Sequence, residues 1–126
     1  MSAQKIEAFK EVIIQGILEK KGGNISVIDF DGVENAPADM FIICDANSNT
    51  QIRAIKDSIE EFVRIHLNDK PWHVEGMQEL EWILMDYTNI VVHIFLKDKR
   101  EYFNLEELWG DTNLTHIEEE KPMVKS

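Results

Sequence analysis

The sequence has little cysteine and no long apolar run, and each scarcity excludes a class of protein. Its single cysteine, Cys44, has no partner in the chain for a disulfide, which favours a reducing environment. No apolar run approaches the roughly 20 residues that a membrane-spanning helix needs. The first twelve residues, MSAQKIEAFKEV, lack the apolar core of a secretion signal. We therefore expect a cytoplasmic protein without a membrane segment.

Basic residues are also scarce. Lysine and arginine number 13 against 24 aspartates and glutamates, so the formal net charge is −11. Proteins that bind DNA or RNA depend on basic side chains to neutralise phosphate, and this chain would repel nucleic acid over most of its surface. We expect no direct recognition of nucleic acid, and the acidity instead favours a basic partner.

Apolar periodicity predicts the elements of the first half of the chain. Residues 4–20 carry apolar side chains at helical spacing, and residues 25–30 and 39–45 are typical of strands, the second with a continuously apolar centre. A second helix is predicted to begin at Ser48, where Gln51 completes a capping box, and to end near Asn68.

The second half predicts a hairpin. Residues 72–75 form a short strand or an ordered loop, and residues 80–87 and 90–96 are two strands around Thr88-Asn89. The chain then leaves the sheet, and Asn104 with Glu107 fits the cap of a short helix.

The fold class follows from this order of elements. A chain of 126 residues is one domain on length alone. We expect an α+β, or mixed α/β, domain over residues 1–117, with a central mixed β-sheet and flanking helices. Residues 118–126, EEEKPMVKS, are predicted to be a disordered tail.

Common catalytic patterns are missing from the sequence. The chain contains no nucleotide-binding glycine loop and no serine-nucleophile motif. Cys44 lies in an apolar strand, where a thiol is inert. The four histidines do not have the spacing of metal ligands: His66, His73, His93 and His116. We therefore predict no metal site and no cofactor.

One carboxylate pair offers an alternative. Asp29 and Asp31 flank Phe30 at a strand end, where alternation places both on one face. Such pairs can hold Mg²⁺ for nucleotidyl transfer. The Asp31-Gly32 turn explains them more simply, because aspartate is favoured at turns. An Mg²⁺-dependent, nucleotidyltransferase-like enzyme using this pair is the runner-up hypothesis.

The segment EWILMDYTNIVVHIF, residues 81–95, is apolar yet contains several polar side chains. Alternation sends Trp82 and Asp86 to one face of the hairpin and Tyr87 to the other. In a purely structural interpretation, Asp86 and His93 satisfy one another across the hairpin. The alternative is a docking surface, because tryptophan and tyrosine beside a few polar groups are typical of protein–protein hot spots.

Three motifs resemble one known family. The strand ADMFIIC before a serine-initiated helix, the run EGMQELEWILMDYTNIVVHIF and the segment REYFNLEELWGD are similar to the ribosomal silencing factor family, also called Iojap. The resemblance covers about residues 6 to 111. The chain departs from the usual family pattern at residues 44–54 and at the turn Tyr87-Thr88-Asn89.

The resemblance implies a function. Members bind the large ribosomal subunit through its fourteenth protein, block joining of the small subunit and repress translation when nutrients are scarce. It also implies a nucleotidyltransferase-like topology without enzymatic activity. On this basis we expect partner contacts at six residues: Trp82, Asp86, Tyr87, Asn89, Glu107 and Trp109. A homodimer formed through the hairpin surface is a further alternative.

Overall fold

The computed structural model describes residues 2–109 and 113–117. Its elements, in chain order, are α1 (Ala3–Glu19), β1 (Gly23–Asp29), β2 (Met40–Ala46), α2 (Asn49–Leu67), β3 (His73–Glu75), β4 (Trp82–Asp86), β5 (Ile90–Leu96), α3 (Lys97–Phe103), α4 (Leu105–Leu108) and β6 (Asn113–His116). None of the helices in the described ranges has the length and apolarity to cross a membrane.

The strands form one mixed sheet in the order β3-β4-β5-β2-β1-β6. Strands β2 and β5 are parallel, and the other neighbouring pairs are antiparallel. The helix α2 and the β3–β4 segment connect the two parallel strands. The predicted single α+β domain with a mixed central sheet is confirmed. The predicted tail at residues 118–126 lies outside the described residues, and the domain boundary stays a prediction.

Two elements were not predicted. The segment that was expected only to leave the sheet forms α3, which follows β5 directly and has no capping side chain at its first residue. Without a cap, its sequence lacks the usual signal of a helix start. Strand β6 was also missed, because its four residues, NLTH, contain one apolar side chain and become a strand only by pairing with β1.

The start of α2 has the predicted cap, with one difference. The Ser48 hydroxyl accepts a hydrogen bond from the Gln51 backbone N–H at 3.1 Å. The Gln51 side-chain oxygen accepts from the backbone N–H of Asn47, at 2.7 Å, rather than from that of Ser48. The amide nitrogen of Gln51 then donates to the carbonyls of Lys20 and Lys21 at the end of α1. The cap therefore joins the two long helices.

The two faces of the sheet differ in their cover. Helices α1 and α2 pack on one of them, which we call the helix-covered face, and fill it mainly with isoleucine. The helices approach closely at Gly16, where an added Cβ would lie 3.0 Å from the Ile59 Cα. The Ser58 hydroxyl donates to the Gly16 carbonyl at 2.7 Å. Replacing Gly16 would therefore push the two helices apart.

The opposite face, which we call the open face, has a second apolar cluster that is covered by much shorter helices. Its buried members are Ile28, Phe30, Phe41, Ile43, Val91 and Phe95. Segments α3 and α4 contribute the cover through Leu105 and the adjoining Trp109. The central strand β2 is buried along its whole length, as its continuous apolar centre predicted.

Candidate docking surface

Trp82 is the aromatic centre of the open face. Its ring stacks on Phe95 with centroids 4.9 Å apart and lies 4.6 Å from the ring of Phe103 on α3. Its indole N–H donates to Nδ1 of His93 at 3.1 Å. The side chain is only partly buried. Trp82 is thus held in one orientation while part of it stays accessible to a partner.

His93 holds the Trp82 side chain in place through a hydrogen bond. Because Nδ1 accepts the indole N–H, the neutral imidazole carries its own proton on Nε2. Nε2 is buried and has no hydrogen-bond partner among the described residues. Burial lowers the pKa of His93 from 6.5 to about 4, because the charged imidazolium would be desolvated. His93 is therefore neutral at physiological pH.

The structural alternative for Asp86 and His93 is wrong. Asp86 lies opposite Val91 in the hairpin, and His93 lies opposite Leu84. The Asp86 carboxylate instead accepts a hydrogen bond from the backbone N–H of Thr88 at 2.7 Å, which stabilises the turn. Alternation along β4 places Asp86 on the same side as Trp82.

The hairpin turn itself is tied to the neighbouring loop. Thr88 has a positive φ of 78°, which is unfavourable for a β-branched residue. The Asn89 amide donates to the carboxylate of Asp39 at 2.7 Å. These bonds fix Asn89 at the end of the hairpin, where its backbone carbonyl also accepts from Asp39 and Met40.

Tyr87 lies on the other side of the sheet. Its side chain is 6% exposed, belongs to the apolar cluster of the helix-covered face and lies 5.5 Å from the ring of Phe9. Tyr87 is therefore a core residue of that face. That Tyr87 contacts a partner stays a prediction, but any such contact must come from the side opposite Trp82.

A partly buried ionic cluster joins α3 and α4 to the sheet. The Arg100 guanidinium pairs with Asp45 at 3.2 Å and with Glu106, and it donates to the Ser26 hydroxyl at 3.0 Å. Burial raises the pKa of Glu106, but the hydrogen bond and charge of Arg100 outweigh it and leave this pKa below its usual value. Because Asp45 is only 6% exposed, removal of Arg100 would leave the buried Asp45 carboxylate without its cationic partner.

Helices α3 and α4 add exposed apolar side chains that the sequence analysis missed. Tyr102 is 80% exposed, Phe103 41% and Leu108 70%. The signal was the adjacent aromatic pair Tyr102-Phe103, and the unpredicted helix places Phe103 beside Trp82. Large exposed apolar groups close together mark interaction surfaces more often than isolated ones.

The two predicted C-terminal residues have different surroundings. Trp109 packs edge-on against Phe30 with centroids 5.0 Å apart and belongs to the open-face cluster. Glu107 accepts a hydrogen bond from the Asn104 amide at 2.7 Å, and its backbone N–H donates to the Asn104 side chain, so the predicted cap forms. The structure thus brings Trp82 and Trp109 onto one face, whereas Tyr87 lies on the other.

The carboxylate pair has a structural role. Asp29 accepts a hydrogen bond from the Asp31 backbone N–H at 2.9 Å, which is the turn geometry that the simpler interpretation predicted. In residues 2–109 and 113–117, no group of three or more His, Cys, Asp or Glu side chains could hold a metal ion. The Cys44 thiol is fully buried, and burial raises its pKa, which suppresses the reactive thiolate.

Known proteins resemble this chain over most of its length. A family model described as ribosomal silencing factor during starvation matches residues 3–126. A ribosomal silencing factor of Bacillus subtilis is 37% identical over 100 residues, which cover 79% of this chain and 83% of that protein. The chloroplastic protein Iojap of Zea mays is 39% identical over 81 residues, covering 62% of this chain and 32% of that protein.

The fold resembles solved structures too. A crystal structure of a protein from Chromobacterium violaceum aligns with a TM-score of 0.76 and 27% identity, over 87% of this chain and 88% of that one. A crystal structure from Bacillus halodurans aligns with a TM-score of 0.73 and 28% identity, over 89% of this chain and 98% of that one.

Proposed function

The chain belongs to the ribosomal silencing factor family, and from this premise we propose that it binds the large ribosomal subunit, prevents joining of the small subunit and thereby represses translation when nutrients are limiting. The proposed contact on the subunit is its fourteenth protein. This action would take place in the cytoplasm, where the subunits assemble.

The observation that carries the proposal is the incomplete cover of the open face. Two long helices close one side of the sheet, whereas α3 and α4 leave Trp82 partly exposed on the other and themselves present Tyr102 and Leu108 to solvent. Aromatic groups that are held rigidly and remain accessible are typical anchors of protein–protein interfaces. We propose that Trp82 and Trp109 provide the apolar centre of the contact and that Asp86, Asn89 and Glu107 belong to its polar rim.

The net charge supports a basic partner. At −11 the chain would be attracted to a basic ribosomal protein and repelled by exposed ribosomal RNA. Complementary charge raises the rate of association more than the final affinity. We therefore propose contact through protein rather than through direct recognition of RNA.

Sedimentation with isolated subunits tests this proposal. The purified chain should co-sediment with large subunits and not with small ones, and adding it before the subunits are mixed should reduce the yield of joined ribosomes. Equal retention on both subunits would contradict specific docking. An unchanged yield of joined ribosomes at saturating protein would remove the silencing mechanism.

Catalysis at Asp29 and Asp31 is not our proposal, because Asp29 already accepts the backbone bond that shapes the turn. The variant carrying both Asp29→Asn and Asp31→Asn should therefore keep subunit binding. Calorimetry with Mg²⁺ and nucleoside triphosphates provides the independent check, and Mg²⁺-dependent binding that the double variant loses would revive the enzymatic hypothesis.

Self-association is a competing use of the same surface. The apolar side chains of the open face could meet a second copy instead of a ribosomal protein. Light scattering after size-exclusion chromatography separates the two states, and Tyr102→Ala should weaken a dimer if the open face forms it.

A further inference from the structure

Among the described residues, Trp72 has the most exposed large apolar side chain, with 81% of its surface accessible to solvent. It lies between α2 and β3, and its backbone N–H donates to the Asp86 carbonyl at 2.7 Å. The backbone is therefore fixed while the indole stands in solvent. An indole that is this exposed gains little free energy from burial within the folded chain. Its position therefore suits a contact with a partner better than a place in the core.

A groove of about 740 Å³ lies beside Trp72. Its lining comes from two segments, residues 69–72 after α2 and residues 87–89 at the hairpin turn. Tyr87 is part of this lining, and its hydroxyl is buried without a hydrogen-bond partner among the described residues.

Charge around the groove favours a cation. An adjoining groove along α2 shares Asp69 and Lys70 with it and is also lined by Asp57, Glu60, Glu61 and Arg64. Lys56 pairs with Asp57 and Glu60 at 3.5 and 2.8 Å, and Arg64 lies 3.8 Å from Glu61. With Lys56, Arg64 and Lys70 set against the four carboxylates, one negative charge remains in excess beside Asp69. The face of an exposed indole also attracts an ammonium or guanidinium group.

The adjacent sheet edge suits an extended segment. Among the described residues, strand β3 is the terminal strand of the sheet and pairs with β4 alone. An unpaired strand edge offers backbone N–H and C=O groups to an incoming extended chain. A protein segment, rather than a metal ion or a small cation, would use both the edge and the groove.

We propose that Trp72 and this groove form a second docking site, which takes a lysine or arginine side chain from an extended basic segment of a partner protein. The cation would lie over the Trp72 indole, near the Asp69 carboxylate. Val74 and Tyr87 pack on the helix-covered face, so this site lies on the opposite side of the hairpin from Trp82. The anchors of the two sites, Trp72 and Trp82, are different side chains, and the sites meet at Asn89.

Nuclear magnetic resonance of the full-length ¹⁵N-labelled chain tests the proposal. The probe is a capped twelve-residue peptide of lysine and arginine alternating with glycine and serine. The Trp72 indole resonance and the amides of residues 69, 70, 72–75 and 87–89 should shift, while the Trp82 indole should not. Trp72→Ala should weaken binding by roughly tenfold, as expected for loss of a cation–π contact of about 1–2 kcal/mol.

Matched variants separate this site from general attraction to an acidic chain. Asp69→Asn and Asp31→Asn remove the same charge, but only Asp69→Asn should weaken peptide binding. Tyr102→Ala removes an equally exposed aromatic residue from the other side of the molecule and should bind the peptide as the unmodified chain does.

Several results would overturn the proposal. They are unchanged affinity in a folded Trp72→Ala variant, equal losses from Asp69→Asn and Asp31→Asn, or peptide-induced shifts centred on Trp82. A twelve-nucleotide uridylate that shifted the Trp72 resonance when the basic peptide did not would point to RNA and would also overturn it. Subunit co-sedimentation is not a readout here, so failure of this site and failure of the proposed function remain distinguishable.

Discussion

Ile42 and Ile43 are neighbours on β2 and are both fully buried, yet they face different environments. Ile42 belongs to the helix-covered face, where side chains from α1 and α2 surround it. Ile43 belongs to the open face, whose cluster is rich in phenylalanine and is covered partly by α3 and α4. One strand thus supports a closed aliphatic core and an aromatic surface layer.

The difference extends to polar groups. The open face contains the Arg100–Asp45 pair and the neutral His93 beneath Trp82. On the helix-covered face, the Tyr87 hydroxyl is buried without a partner among the described residues. The comparison indicates that the helix-covered face supplies most of the stability, whereas polar groups on the open face position the side chains that would meet a partner.

Replacing Ile42 or Ile43 by alanine should have the largest effect on the free energy of unfolding. Ile42→Ala should lower the free energy of unfolding by about 4 kcal/mol, because the closed core cannot collapse around the cavity. Ile43→Ala should cost about 3 kcal/mol, since the thinner cover can relax. Chemical denaturation measures both values.

Subunit binding by the same two variants separates the roles of the faces. The folded fraction of Ile42→Ala should bind large subunits normally, whereas Ile43→Ala should bind more weakly because it loosens the support of Trp82. Weaker binding by Ile42→Ala alone would reverse our assignment of the faces.

Acid should destabilise the open face through His93. Its pKa is about 4 in the folded chain against 6.5 for the free group, so the unfolded state takes up the proton first. Stability is therefore fully present above pH 6.5 and decreases as the pH falls towards 4, by up to about 3 kcal/mol at 1.36 kcal/mol per pKa unit.

The matched control for this pH dependence is His93→Asn, which does not titrate but retains an acceptor for Trp82. Subtracting its stability profile from that of the unmodified chain removes the contribution of the carboxylates. If the difference is flat between pH 6.5 and 4, then His93 is not buried as described.

Trp82→Ala should weaken binding to large subunits by about 2 kcal/mol, or roughly thirtyfold, because the proposed interface would lose its central aromatic side chain. Melting temperature must be measured beside affinity, since Trp82 also packs on Phe95. Ile65→Ala is the control, because Ile65 is 57% exposed on α2, away from the open face. Unchanged affinity in a folded Trp82 variant would place the contact elsewhere.

The smallest expected effect concerns the turn that joins β4 to β5. Thr88→Gly should raise the stability by about 1 kcal/mol, because glycine adopts a positive φ without the steric strain of a β-branched residue. Thr115→Gly, in the regular strand β6, should instead lower it slightly. Thermal denaturation compares the two, and a loss of stability in Thr88→Gly would show that the threonine side chain itself supports the turn.

The sequence by itself determined the elements that carry a local signal. The apolar spacing of α1 and α2, the Ser48 cap and the alternation along β4 and β5 depend on residues within a few positions of one another, so the sequence predicted them correctly. The motifs of residues 38–44, 75–95 and 100–111 indicated the family for a similar reason, since each is a continuous run of residues.

Only the tertiary structure decided which side chains of the hairpin the core covers and which it leaves partly exposed. Alternation separated Trp82 from Tyr87, but it could not say which of them the long helices would cover. Strand β6 forms through pairing with β1, and Arg100 meets Asp45 from a position 55 residues later in the chain. Such contacts depend on packing between distant segments, and the free energy that selects them is not encoded in any local pattern.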